Sequence, residues 1–194
     1  AFSYAGQRCT AQKIVYVYKE VADALKDKLV AQARELKLNP MINGAACDFV
    51  QELVNDAVGK GAEQVVAGSR EANILSPSVL FNVTENMRIY QEEQFGPAMP
   101  IVVVTDENDA IAKANSTKYG LQASVYTQDI DEALRIADKL DVGTVQINAK
   151  PDRGPDNFPF GGTIDSGQYM QGMQETMDLM TSGKLTEINL HKLV

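Results

Sequence analysis

A chain of 194 residues, 44% of them hydrophobic and 23% charged, is long enough for one domain with a sizeable core and short for two. Its formal net charge of −8 opposes binding to a phosphate backbone, which excludes nucleic acid as an expected partner and leaves any anionic ligand to local arginines. No apolar run approaches the roughly 18 residues that cross a bilayer, no signal-peptide pattern opens the sequence, and the two cysteines fit free thiols in a reducing compartment, so a cytoplasmic location is expected.

The first informative stretch is Tyr4-Ala5-Gly6-Gln7-Arg8-Cys9-Thr10-Ala11, in which a thiol stands beside a guanidinium and a hydroxyl. A thiol of ordinary pKa, ~8.5, is only a few per cent ionised at neutral pH, yet its thiolate attacks carbonyl carbon far better than a neutral oxygen does. Arg8 would bias Cys9 towards that form, and the flanking Gly and polar residues suit a loop open to a cleft. The alternative is a cysteine that packs as a small hydrophobe. Cys47 fits that description, because it opens an apolar-periodic helix. The single histidine, His191, lies at the C-terminal end and excludes a Cys-His or Ser-His-Asp site built from the body of the chain. No H-E-x-x-H or C-x-x-C points to metal.

Residues 13–18 read as a strand, β-branched and aromatic. Helical spacing of Val21, Leu25, Leu29, Val30 and Ala33 predicts a helix over 19–36. A second helix is expected over 45–58, with Phe49, Val50, Leu53, Val54 and Ala57 on one face and Gly59 and Gly61 after it. Residues 63–67 and 74–83 read as strands, and the apolar run 99–104 as a central strand buried on both faces. The order then repeats: helix 106–115 opened by Asp106, strand 123–126, helix 129–140, strand 144–148. Strands alternating with helices predict an α/β domain with a mostly parallel sheet and flanking helices, whose ligands are expected at the carboxyl ends of strands. Residues 151–167 form a Pro- and Gly-rich loop around Phe158 and Phe160, followed by a helix over about 170–181. Residues 184–190 alternate polar and apolar, as a strand does, without an obvious partner left in the chain.

The run Gly6-Gln7-Arg8-Cys9-Thr10 resembles the aldehyde dehydrogenase signature G-Q-x-C-T. Two further segments match that family in the same order: Glu93-Gln94-Phe95-Gly96-Pro97, like E-x-F-G-P, and Pro159-Phe160-Gly161-Gly162 with Ser166-Gly167, like P-F-G-G-x-K-x-S-G. The resemblance implies that Cys9 adds to an aldehyde, that hydride passes to NADP or NAD, and that water hydrolyses the thioester. It also implies cofactor binding by Glu93, at the nicotinamide ribose, and by Phe95, against the nicotinamide. A carboxylate accepts two ribose hydroxyls and a ring limits the nicotinamide's motion, so the residue types fit. Read without the resemblance, residues 91–94 are a solvated polar face and Gly96-Pro97 a turn.

Arg8, Thr10 and Arg153 in Arg153-Gly154-Pro155-Asp156-Asn157-Phe158 are similar to a narrower branch, the non-phosphorylating glyceraldehyde-3-phosphate dehydrogenases. There the matching residues bind substrate, with the arginines on its phosphate, which forked guanidinium donors suit. On residue type alone, Arg153 reads first as a surface arginine in a Pro-Gly turn, and the resemblance turns the preference to phosphate binding. The sequence departs from the family pattern at Ile164, where lysine is usual, and no G-x-G-x-x-G or E-L-G-G segment is found. The resemblance therefore implies a catalytic domain over 1–183, an oligomerisation strand over 184–194 and an absent NAD(P)-binding domain, with a homo-oligomer and that cofactor domain as partners. Two other readings stay open: a binding or oligomerisation module without catalysis, and a cofactor-free thioester or ester hydrolase at Cys9.

Overall fold

The computed structural model describes residues 1–188. A 3₁₀ turn at Ser3–Gly6 leads through the Cys9 loop into strand β1 (Val15–Tyr18), which runs directly into helix α1 (Lys19–Glu35). Helix α2 (Gly44–Gly59) is capped by the Asn43 side chain, which accepts from the Ala46 N–H at 2.8 Å. Strand β2 (Glu63–Val66), a two-stranded hairpin of β3 (Arg70–Glu71) and β4 (Ile74–Leu75), and strand β5 (Ser78–Phe81) follow. One turn of helix, α3 (Arg88–Gln91), precedes β6 (Ala98–Val104), and α4 (Glu107–Asn115) is capped by Asp106 as the sequence predicts. Then come β7 (Tyr119–Gly120), β8 (Gln122–Val125), α5 (Ile130–Lys139) capped by Asp129, β9 (Thr144–Ile147), β10 (Thr163–Ile164) and α6 (Met173–Met180).

The main sheet has the order β1-β6-β5-β2, parallel except for β2 at one edge. Side chains alternate along its strands, so each face builds its own core. Leu80, Val102 and Val104 pack with Cys47, Val50, Leu53 and Ala57 of α2 on one face. Val17, Val79, Phe81 and Ile101 pack with Ala22 and Ala33 of α1 on the other. Strand β6 is covered on both faces and hydrogen-bonded on both edges, which is why its sequence is a continuous apolar run. A second parallel pair, β8-β9, forms its own small sheet, and β7 pairs antiparallel with β10. The Tyr18 hydroxyl donates to Glu132 of α5 at 3.3 Å, which ties the carboxyl end of β1 to the helix that follows the carboxyl end of β8.

Two expectations need correction. The strand predicted over 74–83 is broken at Ser76-Pro77, and its first part folds back on residues 70–71 as the β3-β4 hairpin. The Ser76 N–H donates back to the Ser69 carbonyl at 2.8 Å, whereas the Ser78 N–H donates to the Pro97 carbonyl at 2.9 Å, so the two parts of the run pair with different partners. Val21 is exposed, and the inward face of α1 is drawn instead by Ala22, Leu25, Leu29 and Ala33. Residues 184–188, within the strand expected over 184–190, have no strand partner inside the chain, and Leu185 and Ile188 are 92% and 75% exposed. The rest of that segment, with His191, lies outside the described residues.

Candidate active site

The Cys9 loop is built on a close backbone contact. Gly6 has φ +74°, and a Cβ placed on it would stand 2.2 Å from the Gly96 carbonyl oxygen. Only glycine allows that approach, so the loop that carries the thiol rests directly on the backbone of the Glu93-Phe95-Gly96 segment. Gln7 fixes the other side: its Nε2 donates to the Tyr4 and Pro40 carbonyls, and its Oε1 accepts from the Ile42 N–H at 2.8 Å. Two of the three matching segments, some 80 residues apart in the sequence, thus meet at one junction.

Gln94 and Lys13 complete that junction. Gln94 is buried, and its amide donates to the Lys13 carbonyl at 2.9 Å and the Ala98 carbonyl at 2.8 Å, binding the chain just before β1 to the start of β6. The Lys13 ammonium donates to the Gly6 carbonyl at 3.3 Å and the Arg8 carbonyl at 2.9 Å, pairs with Glu93 Oε1 at 3.2 Å, and lies 4.6 Å from the centre of the Phe95 ring. Burial pulls its pKa below the ordinary lysine value, against the opposing pull of Glu93 and Cys9. Sequence reasoning missed both residues. Lys13 reads as the polar first residue of a strand, and nothing local reveals an acidic partner 80 positions away.

Backbone strain gathers here as well. Tyr4, Ala5 and Phe95 are non-glycine residues with φ of 53°, 55° and 41°. Such conformations cost of order 1–3 kcal/mol each and persist where the surroundings impose them, often at functional sites. Cys9 and Arg8 are exposed and Thr10 is half-buried, while Cys47 is wholly buried with its thiol 3.5 Å from the Asn73 carbonyl oxygen. The Arg8 guanidinium lies 5.2 Å from the Tyr4 ring centre. Glu93 is half-buried and Phe95 is 44% exposed, so a carboxylate and a ring face the solvent beside the thiol loop.

Arg153 is held within its own loop, 3.9 Å from Asp156 and 5.6 Å from the Phe160 ring centre, and the described contacts do not join it to Cys9. That loop is anchored at Asp152, whose carbonyl accepts from Gln122 and Gln146 of the β8-β9 pair. The P-F-G-G and S-G segments serve as a backbone junction: a Cβ on Gly162 would stand 2.6 Å from Ser166, and the Ser166 hydroxyl accepts from the Gly120 N–H at 3.0 Å. Ile164, in place of the family's lysine, has φ 55°, which is unusual for a β-branched residue.

The thiol loop does not lie at the strand ends where ligands are expected. The Cys9 loop precedes β1, and residues 93–97 precede β6, so the junction sits at the amino ends of two paired parallel strands. Gln122 at the start of β8 brings Asp152 to the amino end of the second pair. The carboxyl ends instead carry an open cleft of about 510 Å³ lined by Tyr126, Thr127, Gln128, Ile130, Ile147 and Asn148, which contains none of the predicted site residues.

Comparison with known proteins gives a consistent picture. Residues 1–186 match the profile of the aldehyde dehydrogenase family. The chain is 42% identical over 198 residues to the NADP-dependent glyceraldehyde-3-phosphate dehydrogenase of Pisum sativum, covering 97% of this chain and 40% of that protein. It is 42% identical to the corresponding Streptococcus equinus enzyme over 201 residues, covering 99% of this chain and 42% of that one. Among solved structures, the NADP-dependent glyceraldehyde-3-phosphate dehydrogenase of Bacillus halodurans C-125, complexed with NADP, superposes with a TM-score of 0.94 at 44% identity, over 98% of this chain and 42% of its own. The chain therefore spans about two fifths of the length of these relatives.

Proposed function

Because the chain belongs to the aldehyde dehydrogenase family, we propose that it carries the thiol and the nicotinamide-side cofactor contacts of an NADP-dependent aldehyde oxidation, with glyceraldehyde 3-phosphate as the aldehyde and 3-phosphoglycerate as the product. The observation that carries the proposal is the Gly6–Gly96 contact, which seats the Cys9 loop on the segment bearing Glu93 and Phe95.

The residues fit the work. In the proposed sequence the Cys9 sulfur, as thiolate, bonds to the aldehyde carbon, and the carbonyl oxygen takes the negative charge. The Cys9 backbone N–H supplies one donor to that oxyanion, in the manner of preorganised amide donors generally. Glu93 has one carboxylate oxygen held by Lys13, and its other oxygen can accept a ribose hydroxyl, while the exposed Phe95 ring offers a face for the nicotinamide. When bound, NADP supplies the hydride acceptor that converts the thiol adduct to a thioester. Water then cleaves the thioester, returning the Cys9 thiol and releasing a carboxylate. Arg8 and Arg153 are assigned to the substrate's phosphate, on the chemical match between guanidinium and phosphate, and Thr10 to the substrate beside them.

The 194 residues span neither an adenine and pyrophosphate grip nor a glutamate base of the E-L-G-G type. The expected result is therefore that this chain alone gives no sustained nicotinamide reduction with glyceraldehyde 3-phosphate. A hybrid in which it replaces the matched 42% of the Bacillus halodurans enzyme should turn over. Spectrophotometric assay at 340 nm reads both, and a folded but silent hybrid would refute the reading. A second, assembly role is favoured by the exposed apolar Leu185 and Ile188, which we assign to an interface with another copy of the chain. Sedimentation velocity should then show a smaller species when residues 184–194 are deleted, and an unchanged assembly would argue against that role.

A further inference from the structure

We propose that Lys13 is a positioning residue, a clamp that fixes Glu93 against the Cys9 loop so that cofactor carboxylate and thiol keep one mutual geometry. This rests on the functional reading just given, since it treats Glu93 and Cys9 as two arms of one site. An ammonium has three N–H donors and no acceptor. Those of Lys13 have three acceptors in reach: the Gly6 carbonyl at 3.3 Å, the Arg8 carbonyl at 2.9 Å and Glu93 Oε1 at 3.2 Å. Two of the three are main-chain oxygens on either side of Gln7, in the loop that presents the thiol. The third is a side chain from the opposite segment.

That arrangement leaves Lys13 no donor for a ligand and gives it a different task. It occupies Oε1 of Glu93 and so turns the carboxylate, leaving the second oxygen as the one offered outwards. The same ammonium lies 4.6 Å from the centre of the Phe95 ring, so the cation also holds the other assigned cofactor contact, through the attraction of a positive charge to a ring face. Partial burial makes each of these bonds less replaceable by water than a surface pair would be. Removing the ammonium would leave two loop carbonyls and a carboxylate without their shared donor, and only the Gly6–Gly96 contact and the Gln94 bond to the residue 13 carbonyl would still join the two segments.

Amide hydrogen exchange of the 194-residue chain, read by mass spectrometry, tests this. In Lys13→Met, peptides covering residues 3–13 and 91–97 should both exchange faster, by about tenfold, as for loss of a charge-assisted hydrogen bond. The β6 peptide 98–104 should stay unchanged, which a general loss of stability would not allow. Lys13→Arg, which keeps the charge and several donors, should return both peptides to within about threefold of the parent rate. Glu93→Gln weakens the other end of the clamp and should loosen the same two peptides, so the test stands even if Lys13→Met folds poorly. Unchanged exchange in either peptide across these variants, or an arginine variant no better than methionine, would overturn the assignment. A silent hybrid enzyme with Lys13-dependent coupling would sink only the functional reading. An active hybrid whose loops ignore Lys13 would sink only this inference.

Discussion

Replacing Cys9 by serine in the hybrid enzyme should lower kcat/KM for aldehyde oxidation by at least about 10⁴-fold, a loss of roughly 5 kcal/mol of transition-state stabilisation. The substitution changes one atom and little volume. A serine hydroxyl ionises far less readily than a thiol and is the poorer nucleophile towards carbonyl carbon. Cys9 is exposed on a loop, so the substitution leaves both cores untouched, and the Tm should be unchanged. Cys47→Ser gives the opposite pattern. That side chain is fully buried against α2's neighbours, so it should lower the Tm through a buried hydroxyl while any folded fraction keeps its activity per molecule. Steady-state assay and differential scanning calorimetry on the two variants separate the cysteines. A Cys9→Ser hybrid that retains a tenth of the parent activity would remove the thiol from the mechanism.

The largest structural effect is expected at Gly6. An alanine there must hold φ near +74° and place its methyl carbon 2.2 Å from the Gly96 carbonyl oxygen and 2.5 Å from the carbonyl carbon. The left-handed conformation costs alanine about 1–2 kcal/mol. The clash is with backbone, so no side chain can swing aside, and overpacking of this kind costs a further ~1–3 kcal/mol. The sum, about 2–5 kcal/mol, lowers the Tm of a protein of this size by roughly 5–15 °C. The relief available is displacement of Gly96, which carries Glu93 and Phe95 away from the thiol. Activity of the folded hybrid should therefore fall at least about tenfold beyond what lost stability explains, because misplacement of an ångström near reacting groups is expensive. Gly59→Ala is the control, since a Cβ there meets nothing within 4 Å, and it should be close to neutral. If Gly6→Ala behaved like Gly59→Ala, the junction at Gly96 would have no functional weight.

Much of the fold was legible because periodicity and caps agree. Asp106 and Asp129 sit as N-caps ahead of α4 and α5, and the run at 98–104 is the doubly covered central strand its composition implies. What failed did so for physical reasons. The apolar content of residues 74–83 hides a change of partner at Ser76-Pro77, where pairing passes from the Ser69–Glu71 segment to the start of β6, and such a switch leaves no mark in the period. The single helical turn at Arg88–Gln91 is too short to show a 3.6-residue period. At the site, the motif residues themselves were visible, but Lys13 and Gln94 act through partners brought in by the fold: Glu93 for one, the Lys13 and Ala98 carbonyls for the other. Parallel sheets generally bind ligands at strand carboxyl ends, whereas the order of the chain, with Cys9 ahead of β1, places the thiol at an amino end.

In the proposed sequence the sulfur of Cys9 is acylated by the aldehyde during turnover. The most direct measurement is rapid acid quench of the hybrid enzyme mixed with NADP and glyceraldehyde 3-phosphate, followed by peptide mass mapping. A phosphoglyceryl mass increment is expected on the peptide containing Cys9, formed only when both compounds are present and missing from the Cys9→Ser variant. Turnover with that peptide unmodified, or with the increment on Cys47 or any other residue, would contradict it.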